Sequence, residues 1–145
     1  MVKMKEYPDN DEYERWMAHA KLTFKAIVND RSSGSYNWAC FKCQQATEYA
    51  VKGFLKGVGK DSSCHSVSML LKKAEFDDDL INIAKQIDMY FVPIRDPDSW
   101  PDGVPNDFYT LDDVDEAIRI SELIIGAIDE RWNMLKTPSS PMKRN

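Results

Sequence analysis

Histidine is scarce in this chain, with two in 145 residues, His19 and His65. Only histidine titrates near neutral pH without help, so unassisted proton transfer has just those two candidates. Cysteine is nearly as rare, at three. An odd number of cysteines, behind a start (MVKMKEYPDN) without the apolar core of a secretory signal, fits a reducing cytoplasm better than a disulfide scaffold. No apolar run approaches the ~20 residues of a membrane span, so no membrane partner is expected. Positive charge is outweighed as well, with 19 Lys and Arg against 24 Asp and Glu, a net charge of −5. That balance excludes the broadly basic surface behind tight nonspecific binding to duplex nucleic acid. A local basic groove needs only a few cations and stays open. No repeat recurs at a fixed period.

What remains is an ordinary globular composition, 43% hydrophobic and 30% charged, long enough for one core. The chain is organised around Tyr36 to Val58, which reads as a helix of about six turns. One face carries Tyr36, Ala39, Cys40, Cys43, Thr47, Ala50, Phe54 and Val58 at core-stripe spacing. The opposite side carries Trp38, Phe41, Gln45, Tyr49 and Lys52, so it is not the usual charged one. A helix apolar nearly all round must be buried on more than one side, in a core or against a partner.

The other segments arrange themselves around it. Residues 1–9 read as a flexible arm, with Asp9, Asn10 and Asp11 as cap candidates for a first helix. Tyr13, Trp16, Met17, Ala20, Phe24, Ile27 and Val28 then hold one face to about Asn29, with Arg15 and His19 off the stripe. Residues 31–35 form a turn, and Gly57 and Gly59 end the central helix. His65 or Ser66 opens a short helix with Val67, Leu70, Leu71 and Ala74 inside. Asp77, Asp78 and Asp79 crowd the start of the next helix, whose apolar positions are Leu80, Ile83, Ala84, Ile87 and Phe91. Residues 92–109 hold four prolines and a glycine and cannot be regular, although Trp100, Phe108 and Tyr109 argue that parts of them pack. Thr110 caps the last helix, with Asp113 completing a capping box. Its core stripe reads Val114, Ala117, Ile118, Ser121, Ile125, Ile128, Trp132 and Leu135, while Ile120, Leu123 and Met134 point elsewhere. Residues 137–145 read as a disordered tail. The expected architecture is all-α, an up-and-down helical bundle of four longer helices plus one short helix over residues 10–136.

Gln44-Gln45-Ala46-Thr47-Glu48 through Lys52 and Leu55 resembles the QQA-E-x-x-x-K-x-x-L core of HEPN domains. His65 with Leu70-Leu71 resembles that family's His-x-x-x-x-L-L step, and Tyr90 to Pro97 resembles its Tyr-x-x-x-x-Arg-Tyr-Pro segment. A long loop and a final helix opening after Tyr109-Thr110 follow in the family's order, so the resemblance covers roughly residues 10–135. It implies a small helical bundle that forms homodimers through helix faces. It also implies a minimal nucleotidyltransferase partner of toxin–antitoxin type, and nucleotide binding in some members. Toxin members are metal-independent ribonucleases with an Arg, four to six residues, then His. Here Arg95 is followed by DPDSWPDGVPND without a histidine, and Asp96 stands where the family has Tyr. The ribonuclease motif is therefore absent as a motif. The second apolar faces suit a dimer or partner surface at Trp38, Phe41, Ile120 and Leu123.

Candidate chemistry gathers at few places. Arg95 lies in the irregular loop and has the planar fork that suits phosphate. Its alternative is a structural ion pair, since Asp96, Asp98, Asp102 and Asp107 surround it in sequence. Gln45, Tyr49 and Lys52, joined by Tyr90 and Arg95, are candidates for nucleotide or single-stranded RNA binding. Glu48 and Lys52 also read as a simple surface i, i+4 pair, worth a few tenths of a kcal/mol. Candidates for catalysis are Arg95 with His65 or an acidic loop residue, with packing or capping as the plainer role for His65. Cys40-x-x-Cys43 with Cys64-His65 offers four zinc-type ligands, but the pair lies mid-helix on the core stripe and reads as buried small hydrophobes. Asp96, Asp98 and Asp102 lack the Gly and terminal Glu of a calcium loop. No metal or cofactor is expected.

Overall fold

The computed structural model describes residues 8–91 and 96–136. Among these residues the fold is all-helical, as the patterning predicts: α1 Asn10–Lys25, α2 Ile27–Ser32, α3 Tyr36–Gly57, α4 Val67–Lys73, α5 Asp78–Asp88 and α6 Leu111–Lys136, with short 3₁₀ turns at Pro97–Ser99 and Pro105–Phe108. The expected N-terminal arm and C-terminal tail fall almost wholly outside the described residues. Asp9, assigned to the arm, belongs to the fold: its carboxylate accepts from Glu12 N at 3.1 Å, and its own N–H donates to Gly57 O at 2.8 Å.

The single first helix expected to Asn29 is in fact two. Thr23 Oγ1 donates back to His19 O at 2.8 Å, and Ala26 N is shared between Leu22 O and Thr23 O at 3.3 and 3.2 Å. A hydroxyl bonding back and a tightened turn bend a helix at that point. The bend keeps Ile27 buried at 2% exposure and turns Val28 out to 65%, so Val28 does not join the core stripe. Gly34, at φ 79°, then reverses the chain.

α3 packs against all five other α-helices among the described residues. Its end is closed by paired bonds, Lys60 N to Leu55 O at 2.8 Å and Gly59 N to Lys56 O at 3.2 Å, with Gly59 at φ 80°. That is a Schellman closure, which needs the left-handed residue. Gly57, two residues earlier, has a different reason to be glycine. A Cβ there would sit 2.4 Å from Cη2 of Trp132. Trp132 is fully buried, stacks on Tyr13 at 4.3 Å, and donates from Nε1 to Asn10 Oδ1 at 2.8 Å.

α4 and α5 are locked by one carboxylate. Asp88, the last residue of α5, accepts from Ser66 Oγ at 2.9 Å, Ser68 N at 3.2 Å, Val67 N and the Ser68 hydroxyl. Ser66 is the N-cap of α4, leaving His65 outside the helix. The last helix opens on the expected box, with Thr110 N on Asp113 Oδ2 at 2.9 Å and Asp113 N on Thr110 Oγ1 at 3.1 Å. Its phase differs from the sequence reading. Ile120 and Ile124 are buried at 1% and 0%, whereas Ile118 and Ile125 are only partly covered and Leu135 is 39% exposed. Isoleucines at 118, 120, 124 and 125 make either phase plausible by hydrophobicity. Ser121 belongs to both stripes, with its hydroxyl 2.8 Å from Thr47 Oγ1 inside the α3–α6 contact, and the full burial of Ile120 and Ile124 beside it shows which phase is taken. Ile120 is therefore core, and the dimer-face assignment for it is corrected.

Gly57→Ala is expected to lower stability by about 1–3 kcal/mol through overpacking against the indole. Gly126→Ala, in a helix where a Cβ meets nothing within 4 Å, is expected to be neutral or stabilising. Urea denaturation of the two variants beside wild type checks the contrast.

Candidate functional site

The outer side of α3 holds a carboxylate that water barely reaches. Glu48 has a side chain only 3% exposed, and a charge there must be fully partnered. Its Oε2 meets Lys52 Nζ at 2.9 Å and His65 Nδ1 at 3.1 Å. Its Oε1 accepts from Gln44 Nε2 at 3.0 Å and Gln45 Nε2 at 3.4 Å. Gln44 Nε2 also donates to His65 O at 3.0 Å, so the residue before α4 is held by backbone and by ring. Glu48 and Lys52 are thus not the surface pair their spacing suggests. Lys52 is 14% exposed and its charge is already answered, which weakens it as a phosphate contact.

The network continues sideways to rings. Tyr49 Oη donates to Gln45 Oε1 at 3.0 Å, and Gln45 Nε2 donates to Gln44 Oε1 at 2.6 Å. Burial first, then the nearby Glu48 charge, raises the Tyr49 phenol and keeps it a donor. The Tyr49 ring lies 4.3 Å from that of His19 and 6.0 Å from Trp16. Lys56 Nζ sits 4.9 Å over the Trp16 ring, and Arg15, Trp16 and His19 line a groove of about 350 Å³. On the other flank, His65 is 65% exposed and stacks on Phe91 at 4.8 Å. Phe91 leads to Phe41 at 6.3 Å, and Phe41 to Trp38 at 5.9 Å, with Trp38 44% exposed.

Chemically, the Glu48–His65 contact sets an imidazole against a carboxylate: where Nδ1 carries the proton and donates it to Glu48, Nε2 is the acceptor nitrogen, on a ring open to solvent.

The sequence candidates divide accordingly. Gln45, Tyr49, Lys52 and His65 come together around Glu48. Tyr90 does not join them: it is 7% exposed, with its ring 6.0 Å from Tyr109. Arg95 lies outside the described residues. Leu123 is 44% exposed on α6, consistent with a free apolar position. The sequence reading names His19 off the α1 stripe without joining it to Tyr49, and treats Trp16 as core. The available signal was that Trp16 and His19, three apart, share the side of α1 that meets α3. The loop aspartates serve their own turns, Asp96 accepting from Asp98 N at 3.0 Å and Asp107 from Val104 N at 3.0 Å. Cys40 and Cys43 are fully buried, and burial pushes the Cys40 thiol up to about 12 and Cys43 also upward. Neither is a poised nucleophile.

The HEPN domain model matches residues 13–131. The chain belongs to the HEPN domain family. Among solved structures, this HEPN chain is similar to TT1696 from Thermus thermophilus, with a TM-score of 0.77 and 31% identity over 81% of this chain and 96% of that one. It is similar to ST0689, an archaeal HEPN homologue, with a TM-score of 0.71 and 33% identity over 82% of this chain and 96% of that one. A HEPN domain protein from Thermotoga maritima aligns with a TM-score of 0.65 and 28% identity, over 82% and 98% of the two chains. Human sacsin is 29% identical over 125 residues, 77% of this chain but 3% of sacsin's length. Among the described residues no helix is long and apolar enough to cross a membrane.

Glu48→Ala is expected to cost about 3 kcal/mol, because it leaves the largely covered Lys52 ammonium unanswered. The double change Glu48→Gln with Lys52→Met is expected to cost less than Glu48→Ala alone. Denaturation midpoints of the three proteins check this.

Proposed function

We propose that this HEPN chain is a homodimeric binding module that takes a nucleotide or single-stranded RNA, and that it partners a minimal nucleotidyltransferase of toxin–antitoxin type. The observation that carries the ligand reading is the Tyr49 ring, braced by Gln45 at 3.0 Å and His19 at 4.3 Å, beside half-buried Trp16. Ring faces next to fixed amides suit unstacked bases. Lys56 at the same edge supplies charge, Arg15 beside it is paired with Glu12 at 2.9 Å, and Arg95 is taken as a further phosphate contact from the resemblance alone. Trp38, Phe41 and Leu123 supply the apolar surface for the second copy or the partner, and the family resemblance supports the nucleotidyltransferase.

The Glu48–His65 contact at 3.1 Å favours a second reading, a metal-independent ribonuclease. His65 would then take the proton of a 2′-OH, and Arg95 would bind the phosphate.

Labelled single-stranded RNA, incubated with EDTA, separates the two. The binding reading expects retention without cleavage, and Tyr49→Ala to weaken binding by about tenfold, in line with loss of one stacked base. The ribonuclease reading expects cleavage by wild type that His65→Ala and Arg95→Ala each abolish with folding intact. For assembly, Trp38→Glu or Leu123→Glu is expected to lower the dimer fraction in sedimentation. An unchanged dimer in both would remove these residues from the interface.

A further inference from the structure

The groove of about 350 Å³ on α1 is lined by Arg15, Trp16 and His19, none of them acidic. On a chain with a net charge of −5 that is unusual. Three other grooves among the described residues each include carboxylates: Glu122 and Asp129 in one, Asp77, Asp79 and Glu130 in the second, and Asp113 in the third. An anion is opposed by a lining charge at those three and by none here.

Two donors at this groove lack an acceptor. Trp16 Nε1 is buried and has no hydrogen-bond partner among the described residues. An N–H left so costs roughly 1–3 kcal/mol, and an acceptor brought by a ligand answers it. Lys56 Nζ lies 4.9 Å over the same indole and has no carboxylate in ion-pair reach among the described residues. His19 is exposed, and its imidazole carries an N–H in either tautomer. Arg15 is different, since Glu12 already holds it at 2.9 Å. Glu48, one residue before Tyr49, adds no free charge, because Lys52 Nζ lies 2.9 Å from it.

The donors sort the anions. Lys56 acts as a point charge, while Trp16 and His19 each add an N–H from a different direction. A carboxylate or a phosphodiester presents two free oxygens and one charge. A phosphomonoester presents three oxygens and about 1.5 to 2 negative charges at pH 7. It alone matches three separate donors and gains most from an unpaired ammonium.

We propose that this groove takes a phosphomonoester, from a free nucleoside monophosphate or from the phosphorylated end of an RNA strand. The inference rests on the nucleotide or single-stranded RNA reading above, with Tyr49 beside the groove to stack the adjoining base. A small rotation of the indole, as Lys56 swings from its face to the phosphate, brings Nε1 to the ligand.

The test is fluorescence anisotropy of the full chain with one labelled RNA sequence carrying a terminal phosphate or only hydroxyl ends, and calorimetric titration with a nucleoside monophosphate beside its nucleoside. The phosphorylated member of each pair is expected to bind about tenfold tighter. Lys56→Gln and Trp16→Phe are each expected to cut that ratio several-fold, and Lys56→Arg to keep it. Lys56 is half-buried in the last turn of α3, and Trp16→Phe keeps a ring, so the fold is expected to survive both changes. The pair with the larger ratio assigns the source. Equal affinity within both pairs overturns this proposal and leaves the nucleic-acid reading standing, whereas no binding of any of the four ligands overturns both. A ratio that Lys56→Gln leaves intact also overturns it, because the phosphate then lies elsewhere.

Discussion

Glu48 sits on a helix that buries fourteen of its twenty-two residues, and the structure around it follows from that crowding. With water excluded from most of α3, each buried polar side chain on it has to be answered by another polar group. Thr47 is met by Ser121 of α6, Gln44 by the backbone of His65, and Glu48 by Lys52 and His65. These answers are directional, whereas hydrophobic contact is not. They fix which way α6 is rolled and where the segment before α4 is fastened. The apolar stripes supply most of the driving force, and the buried polar groups select one arrangement among several that would bury similar area.

The helices themselves were legible because period and punctuation agreed. Asp9, Ser66, Asp77 and Thr110 all cap where a polar residue precedes an apolar run, and Gly59 ends α3 as its neighbours suggest. The bend at Ala26 was not legible, because Thr23 looks like any helix-surface residue until its hydroxyl turns back on His19. The roll of α6 was not legible either, since hydrophobicity alone cannot choose between Ile118 and Ile120. Ser121 lies in the stripe under either phase, so the choice becomes readable only when the face that packs on α3 is known.

The site was half legible for a related reason. Gln45, Tyr49 and Lys52 stand on one helix, so spacing alone brings them together. His65 is seventeen residues from Glu48 in sequence, and His19 lies on another helix. Pairing such residues needs the crossing of α1 and α3 and the return of the chain to α4. What spacing also hides is depth. The same i, i+4 carboxylate and ammonium are trivial in water and costly to disturb when dry.

The fastening of Asn10 to Trp132 has a consequence for how this unit can be joined to others. Asp9 reaches Gly57, Asn10 holds the indole of Trp132, Tyr13 bonds Asp129 at 2.9 Å, and Lys136 approaches Glu14 at 3.9 Å. The first turns of α1 and the last turns of α6 therefore run side by side, and the described chain starts and stops at one pole. A module built this way can sit as an insert within a longer polypeptide, or carry an appendage at either end, without stretching its own core. Whatever is tethered there is delivered to the pole where α1 meets α6, and both ends report on the same corner of the molecule.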